Sequence, residues 1–142
     1  MQINKRVFGV NLIGYDPNTY ENWGKPFYGY SDFGAGIWDS KCSEPVKEVV
    51  NLAKDIYVSA VRFPGGCGTH LYDWKQSIGK DRLHFLFGID EFLNVCKQID
   101  AEPIITVSYF IGNEHDAADL VEYINAPSDV NHPWATKRAK NG

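Results

Sequence analysis

Apolar residues follow two rhythms along this chain. Dense short runs at 6–13 (RVFGVNLI), 58–63 (VSAVRF) and 104–107 (IITV) read as strands, the last running on to Ser108-Tyr109-Phe110. Val and Ile dominate them, and near-continuous apolar strands are those buried on both faces, as in parallel sheets. Between the runs the spacing opens to i, i+3, i+4, i+7, the stripe of an amphipathic helix. One stripe is Val46, Val49, Val50 and Ala53; a second is Phe92, Leu93, Val95, Cys96 and Ile99; a third is Ala117, Leu120, Val121 and Ile124. A short helix is expected at 134–140, closed by Asn141-Gly142. The punctuation fits: Ser43 as N-cap of the first helix with Pro45 in its first turn, Asp90 capping the second, Asn113 the third.

The order is strand, long loop, helix, strand, loop, helix, strand, short loop and two helices. Such alternation predicts an α/β fold with parallel strands and right-handed crossovers. A small open sheet and the opening of a (β/α)8 TIM barrel both fit. Three strands alone leave two bare parallel edges, and a barrel takes about 250 residues. At 142 residues, the expectation is therefore a single incomplete domain over 1–142, the N-terminal part of a TIM barrel with about three βα units.

The long loop, 14–41, has no period. It carries Tyr15, Tyr20, Trp23, Phe27, Tyr28, Tyr30, Phe33 and Trp38 among Gly, Asp, Asn and Pro. Loops of this length tend to be functional or disordered, and so many aromatic rings argue for function.

Charge narrows the partners. The formal net charge of −4 speaks against a nucleic-acid partner, which needs a basic face. No segment approaches the apolar length that spans a bilayer, so no membrane partner is expected. The first residues lack a signal-peptide core, and Cys42, Cys67 and Cys96 are odd in number with no CxxC. Reduced thiols and a cytoplasmic setting are the simpler expectation.

The chemistry concentrates at 58–74, VSAVRFPGGCGTHLYDW. Its apolar strand ends on Arg62 and empties into a glycine- and aromatic-rich loop, the layout of a site at the C-terminal edge of a sheet. A guanidinium at the end of a buried strand needs an acid or a ligand; a structural ion pair and an active-site clamp are both open. Pro64-Gly65-Gly66 lets a ligand approach the backbone, though a plain tight turn reads the same way, and no phosphate-loop pattern follows. Tyr72, Asp73 and Trp74 suit a sugar, with flat rings for its apolar faces and a carboxylate for its hydroxyls; rings that simply pack the core are the alternative. Cys67 and His70 form a CxxH pair, but zinc needs two further ligands, so no metal and no cofactor are expected. The same pair lacks the third group that orients a nucleophile. Gly112-Asn113-Glu114 looks like an acid/base pair, yet helix capping explains both side chains, and Glu114 is read as a helix-start acid.

RFPGG at 62–66, YDW at 72–74, IG at 78–79, DEFLNVC at 90–96, AEPIITV at 101–107, AADLVEYINAP at 117–127 and WATKRAKNG at 134–142 stand in a fixed order. In that order they resemble the α-L-arabinofuranosidases of glycoside hydrolase family 51 over about 58–142, and more loosely, through FGVNL and GAGIWD, over 7–57. The resemblance implies a (β/α)8 barrel that hydrolyses glycosides with retention through two glutamates about 5 Å apart. It places the acid/base in a Gly-Asn-Glu after the fourth strand and the nucleophile after the seventh, both beyond Gly142. Gly112-Asn113-Glu114 precedes the AADLVEY helix and is not the equivalent position. Arg62 matches the family arginine that orients the nucleophile. Two positions depart from the pattern: Cys67 stands where Asn usually follows PGG, and Ile13, with Asn11 nearby, stands where a substrate-binding Glu is usual.

The expected function is thus carbohydrate-active: part of a retaining glycoside hydrolase, with no catalytic residue in this chain and no hydrolysis by it alone. Asn11, Arg62, Gly66, Cys67, Tyr72, Asp73, Trp74 and Ser108 form the expected substrate wall. The partners are an oligosaccharide or glycoside, and the remainder of the barrel or a second copy over the open sheet edges. A self-standing, non-catalytic carbohydrate-binding or assembly domain is the alternative.

Overall fold

The computed structural model describes residues 4–12, 36–39, 42–80, 82 and 87–142. Three short strands, β1 (Gly9–Asn11), β4 (Ala60–Phe63) and β5 (Glu102–Ile105), form a parallel sheet in the order β1-β4-β5. A separate antiparallel pair joins β2 (Trp38–Asp39) to β3 (Glu44–Pro45). The helices are α1 (Lys47–Asp55), α2 (Ile89–Ile99), α3 (Glu114–Asn125) and α4 (Pro133–Asn141). The parallel α/β architecture expected from the alternation is present. Apart from 36–39, the long aromatic loop lies outside the described residues, as does Ile13.

β1 and β4 are shorter than their apolar runs, and β5 is shifted from its own. Lys5–Val7 forms a 3-10 turn ahead of β1, and the third run starts its pairing earlier, at Glu102. Pro103 costs the pairing with β4 nothing: the amides along and just past β5 that donate toward β4, those of Glu102 and Thr106, are out of phase with position 103. The ladder runs one step past each pair: Leu12 N–H donates to the Arg62 carbonyl at 2.8 Å, and Thr106 N–H to that of Phe63 at 2.9 Å.

Two helix starts differ from expectation. Ser43 does not cap α1; it has φ 54° and makes the turn between β2 and β3, so Pro45 is in a strand and the helix begins at Lys47. A residue held in left-handed backbone cannot take the extended conformation an N-cap needs. Gly88, not Asp90, is the N-cap of α2. Glu91 reaches back to accept from Gly88 N–H at 2.7 Å, and Arg82 grips the same carboxylate at 2.6 and 2.8 Å. Asn113 does cap α3: its side chain accepts from the His115 and Asp116 amides at 2.8 and 3.1 Å, while Asp116 accepts from the Asn113 amide at 3.0 Å.

The core lies between the sheet and the helices. Val61 and Phe63 point to that side, and Phe63 is fully enclosed by the rings of Tyr72, Phe87 and Phe92 at centroid distances of 5.1–5.2 Å. Val95, Cys96 and Ile99 of α2 and Val50 of α1 complete it. On α3 the buried residues are Leu120 and Tyr123, whereas Val121 is 61% exposed. Of the expected stripe, Leu120 is buried, Ile124 packs against the core and Ala117 is half-buried; Val121 alone departs, and Tyr123 joins the buried face. Tyr123 donates to Asp90 of α2 at 2.7 Å, accepts from Asn141 of α4 at 3.1 Å, and packs on Trp74. Arg138 of α4 donates to the Tyr123 and Ala126 carbonyls, satisfying the free C-terminal end of α3.

Candidate functional site

The register decides which side chains share a face. Asn11, Arg62 and Ile104 are paired across β1, β4 and β5, as are Gly9, Ala60 and Glu102 one step earlier. In a parallel sheet, paired residues point to the same side and alternate residues to the opposite one. Arg62 therefore turns away from Phe63 and the helices, toward the face that a closed barrel would turn inward. Asn11 stands beside it at the C-terminal end of β1.

Arg62 is half-buried, and its Nε is fully enclosed with no hydrogen-bond partner among the described residues. An unmet N–H on a charged group is costly in a protein interior. Its position, at the last inward step of β4, is where barrel enzymes carry their chemistry.

Beyond β4 the chain makes a cis Phe63–Pro64 peptide and enters a 3-10 turn over Gly66–Leu71. Gly66 has φ 63° and is exposed; this left-handed geometry is one that glycine takes without strain. Thr69, buried, donates its hydroxyl to the Pro64 carbonyl at 3.0 Å and closes the turn. The backbone of Cys67 lies in it, and the Cys67 side chain is outside the described residues.

Tyr72 and Trp74 are buried, at 4% and 6% exposure. Tyr72 packs edge-on against Phe63, and its hydroxyl bonds Ser77 Oγ, whose own proton goes to the Trp74 carbonyl at 2.9 Å. Burial drives the Tyr72 phenol far above its ordinary pKa, so it stays neutral. Trp74 lies against Tyr123 and Trp134 and donates its indole N–H to the Asp116 carbonyl at 3.1 Å. Asp73 is the N-cap of the next 3-10 turn, its carboxylate accepting from Lys75 N–H at 3.0 Å and from the Gln76 side chain (Nε2) at 2.9 Å. Lys75 in turn bridges Asp116 and Asp119 at 2.6 and 2.5 Å while lying over the Trp134 ring. Its hydrogen bond is the main reason the Asp116 carboxyl is held below the usual range.

Ser108 follows β5 and ties two loops together. Its hydroxyl donates to the His70 carbonyl at 2.8 Å and accepts from Ile111 N–H at 3.4 Å. Tyr72, Asp73, Trp74 and Ser108 thus come together around one small cleft, whose far wall is 111–113. With about 30 Å³ of space, the cleft holds a water or two and no sugar ring. Asn11 and Arg62 form the other group, on the inward face of the sheet. Among the described residues, no three His, Cys, Asp or Glu side chains converge as metal ligands would.

Reading the sequence alone passed over Ser77, Lys75 and Asp116, which hold the Tyr72–Trp74 segment in place. The one available signal was the capping box of α3, which places Asp116 in the first turn facing the loop.

Known proteins align with these elements. Residues 52–142 match the model of the α-L-arabinofuranosidase 1 domain. An intracellular exo-α-L-arabinofuranosidase of Bacteroides ovatus is 34% identical over 67% of this chain and 21% of its own length. α-L-Arabinofuranosidase C of Emericella nidulans is 30% identical over 98% of this chain and 29% of its own. The thermostable family 51 α-L-arabinofuranosidase of Thermotoga petrophila superposes with a TM-score of 0.74 at 27% identity, over 99% of this chain and 30% of that one. The chain thus spans less than a third of the length of these relatives, as a portion of their (β/α)8 barrel. With its order of motifs, its sheet and its matched domain in agreement, this chain belongs to the α-L-arabinofuranosidases of glycoside hydrolase family 51.

Proposed function

We propose that the protein carrying this chain is a retaining glycoside hydrolase of α-L-arabinofuranosides, and that these residues build the first strands and rim loops of its barrel. The observation that carries this reading is Arg62, with its enclosed and unmet Nε on the inward face at the end of β4. A guanidinium so placed favours an anion within hydrogen-bonding reach. A nucleophilic carboxylate supplied by another part of the barrel is such an anion. Arg62 keeps it ionised and aimed at the anomeric carbon, while a second carboxyl group about 5 Å away donates and recovers the proton. Neither carboxyl group is assigned within 1–142, since Glu114 serves the start of α3. Asn11 and the backbone at Gly66 and Cys67 contact the sugar; Tyr72, Asp73, Trp74 and Ser108 hold the wall that positions them.

The test uses the complete protein with Arg62→Gln and Arg62→Lys, assayed on 4-nitrophenyl α-L-arabinofuranoside. Loss of one charge-stabilising donor predicts a fall in kcat/KM of roughly 100- to 1,000-fold, mostly in kcat. An R62Q protein with parental kcat/KM overturns the role of Arg62, and turnover by the isolated 142-residue chain overturns the placement of the catalytic pair.

A further inference from the structure

We propose that Thr69 is a positioning residue for substrate binding: its buried hydroxyl holds the Pro64–Gly66 backbone in the shape that receives the sugar. The inference deepens the glycosidase reading and rests on it. β4 is the middle strand of the parallel sheet, with β1 on one side and β5 on the other. The turn that leaves β4 is therefore flanked by strands of this chain on both sides. Thr69 is 5% exposed and Pro64 is fully buried. Residues of this chain already enclose both, and the rest of a barrel can only enclose them further.

The two are tied to each other. Thr69 Oγ1 donates to the Pro64 carbonyl at 3.0 Å. A hydroxyl and a main-chain carbonyl in a dry site are both costly unless bonded, and one bond serves the two. Pro64 lies ahead of the 3-10 turn over Gly66–Leu71, so the bond fastens the entry of the turn to its middle. The far side is held as well: Tyr72 N–H donates to the Thr69 carbonyl at 3.3 Å, and the Tyr72 ring is locked in the core.

A peptide unit is planar, with its C=O and N–H on opposite sides. Holding the Pro64 carbonyl toward Thr69 therefore turns the Gly65 N–H the other way. Gly66 follows at φ 63°, and neither glycine has a side chain to keep a ligand off this backbone. Pro64 comes two residues after Arg62, so the same bond sets how the glycine backbone stands relative to the guanidinium. A sugar held between them depends on that spacing.

The test compares the complete protein with its Thr69→Val, Thr69→Ala and Thr69→Ser variants on 4-nitrophenyl α-L-arabinofuranoside. T69V and T69A lack the donor and are expected to raise KM roughly tenfold with kcat within about twofold of the parent. T69S keeps the hydroxyl and should stay within about twofold of the parent in both constants. A bond that served folding alone would lower the amount of folded enzyme, so that kcat falls and KM stays parental. That pattern, a parental KM in T69V and T69A, a T69S protein as impaired as T69V, or failure of both T69V and T69A to fold overturns the role of Thr69. A parent without turnover of this substrate overturns the glycosidase reading and this assignment together, whereas an active parent with an unmoved KM in the variants overturns Thr69 alone.

Discussion

Ser108 donates its hydroxyl to the main-chain carbonyl of His70 across 2.8 Å, joining two loops 38 residues apart in the chain. Ser108 Oγ also accepts from the Ile111 amide, so one side chain holds both the rim after β4 and the turn after β5. Ser108→Ala removes both bonds. Because the site is exposed, water replaces part of the loss, and the global cost is about 1 kcal/mol. The local effect is larger: amide exchange at Ile111 should rise by roughly tenfold while that of α2 is unchanged. Equal exchange in parent and variant rules out the clasp.

Asp90 predicts a pH dependence. Burial raises its carboxyl pKa above the ordinary value, against the hydrogen bonds from Tyr123 and Gly79; Glu91 adds to the rise and Arg82 opposes it. A raised folded-state pKa means that the folded protein holds this proton more tightly than the unfolded chain does. The stability it contributes is complete below the unfolded pKa of about 3.9 and is lost as pH climbs through the folded value. Asp90→Asn keeps an acceptor for Tyr123 and has no charge to bury. Its urea unfolding free energy should fall less steeply than the parent's as pH rises from the unfolded value, and at neutral pH should equal or exceed it. A parallel pH profile in the two proteins refutes this.

Gly88 admits no side chain. A Cβ there would stand 2.0 Å from the Ser77 carbonyl oxygen, which itself accepts from Arg82 at 2.6 Å. The backbone cannot retreat without breaking the Arg82–Glu91 grip on the start of α2. Gly88→Ala should cost several kcal/mol, beyond the usual range of about 0.5–3 kcal/mol for point changes. Thermal unfolding measures it, and a midpoint within a degree of the parent's contradicts the packing described.

Asn113 and Glu114 separate a structural from a catalytic reading of the same dipeptide. Asn113→Ala should cost about 1 kcal/mol through the lost cap of α3. Glu114→Gln, exposed and in the first turn, should cost less than about 1 kcal/mol. In the complete protein it should leave kcat on an aryl arabinofuranoside within about twofold. A drop of roughly 1,000-fold would instead identify Glu114 as the acid/base.

Much of this protein is legible from local pattern. The stripes of α1 and α2 lie where i, i+3, i+4 spacing puts them, because an amphipathic helix needs only a core to face, whatever its partners. Asn113 with Asp116 caps α3 because the bonds close within three residues. Arg62 stands out because a charge in an apolar strand demands a partner wherever that partner lies. The ordered motifs from RFPGG to WATKRAKNG likewise carried the family.

Other features had no local cause to read. Ser43 is a good cap by type, but pairing of Trp38 with Pro45 makes it a turn. Val121 fits the stripe of α3 by spacing, yet the neighbours of α3 lie on the Tyr123 side, where Asp90, Trp74 and Asn141 converge. Tyr72, Trp74, Tyr109 and Phe110 are alike in type, and nothing in their sequence says which rings are enclosed. That depends on which surfaces the sheet, α2, α3 and α4 bring within contact distance, and only packing decides it. The strand carrying Arg62 was therefore determined by the sequence alone. Which aromatic rings beside it are left open was decided by the tertiary structure, since burial is a property of neighbours and not of the residue.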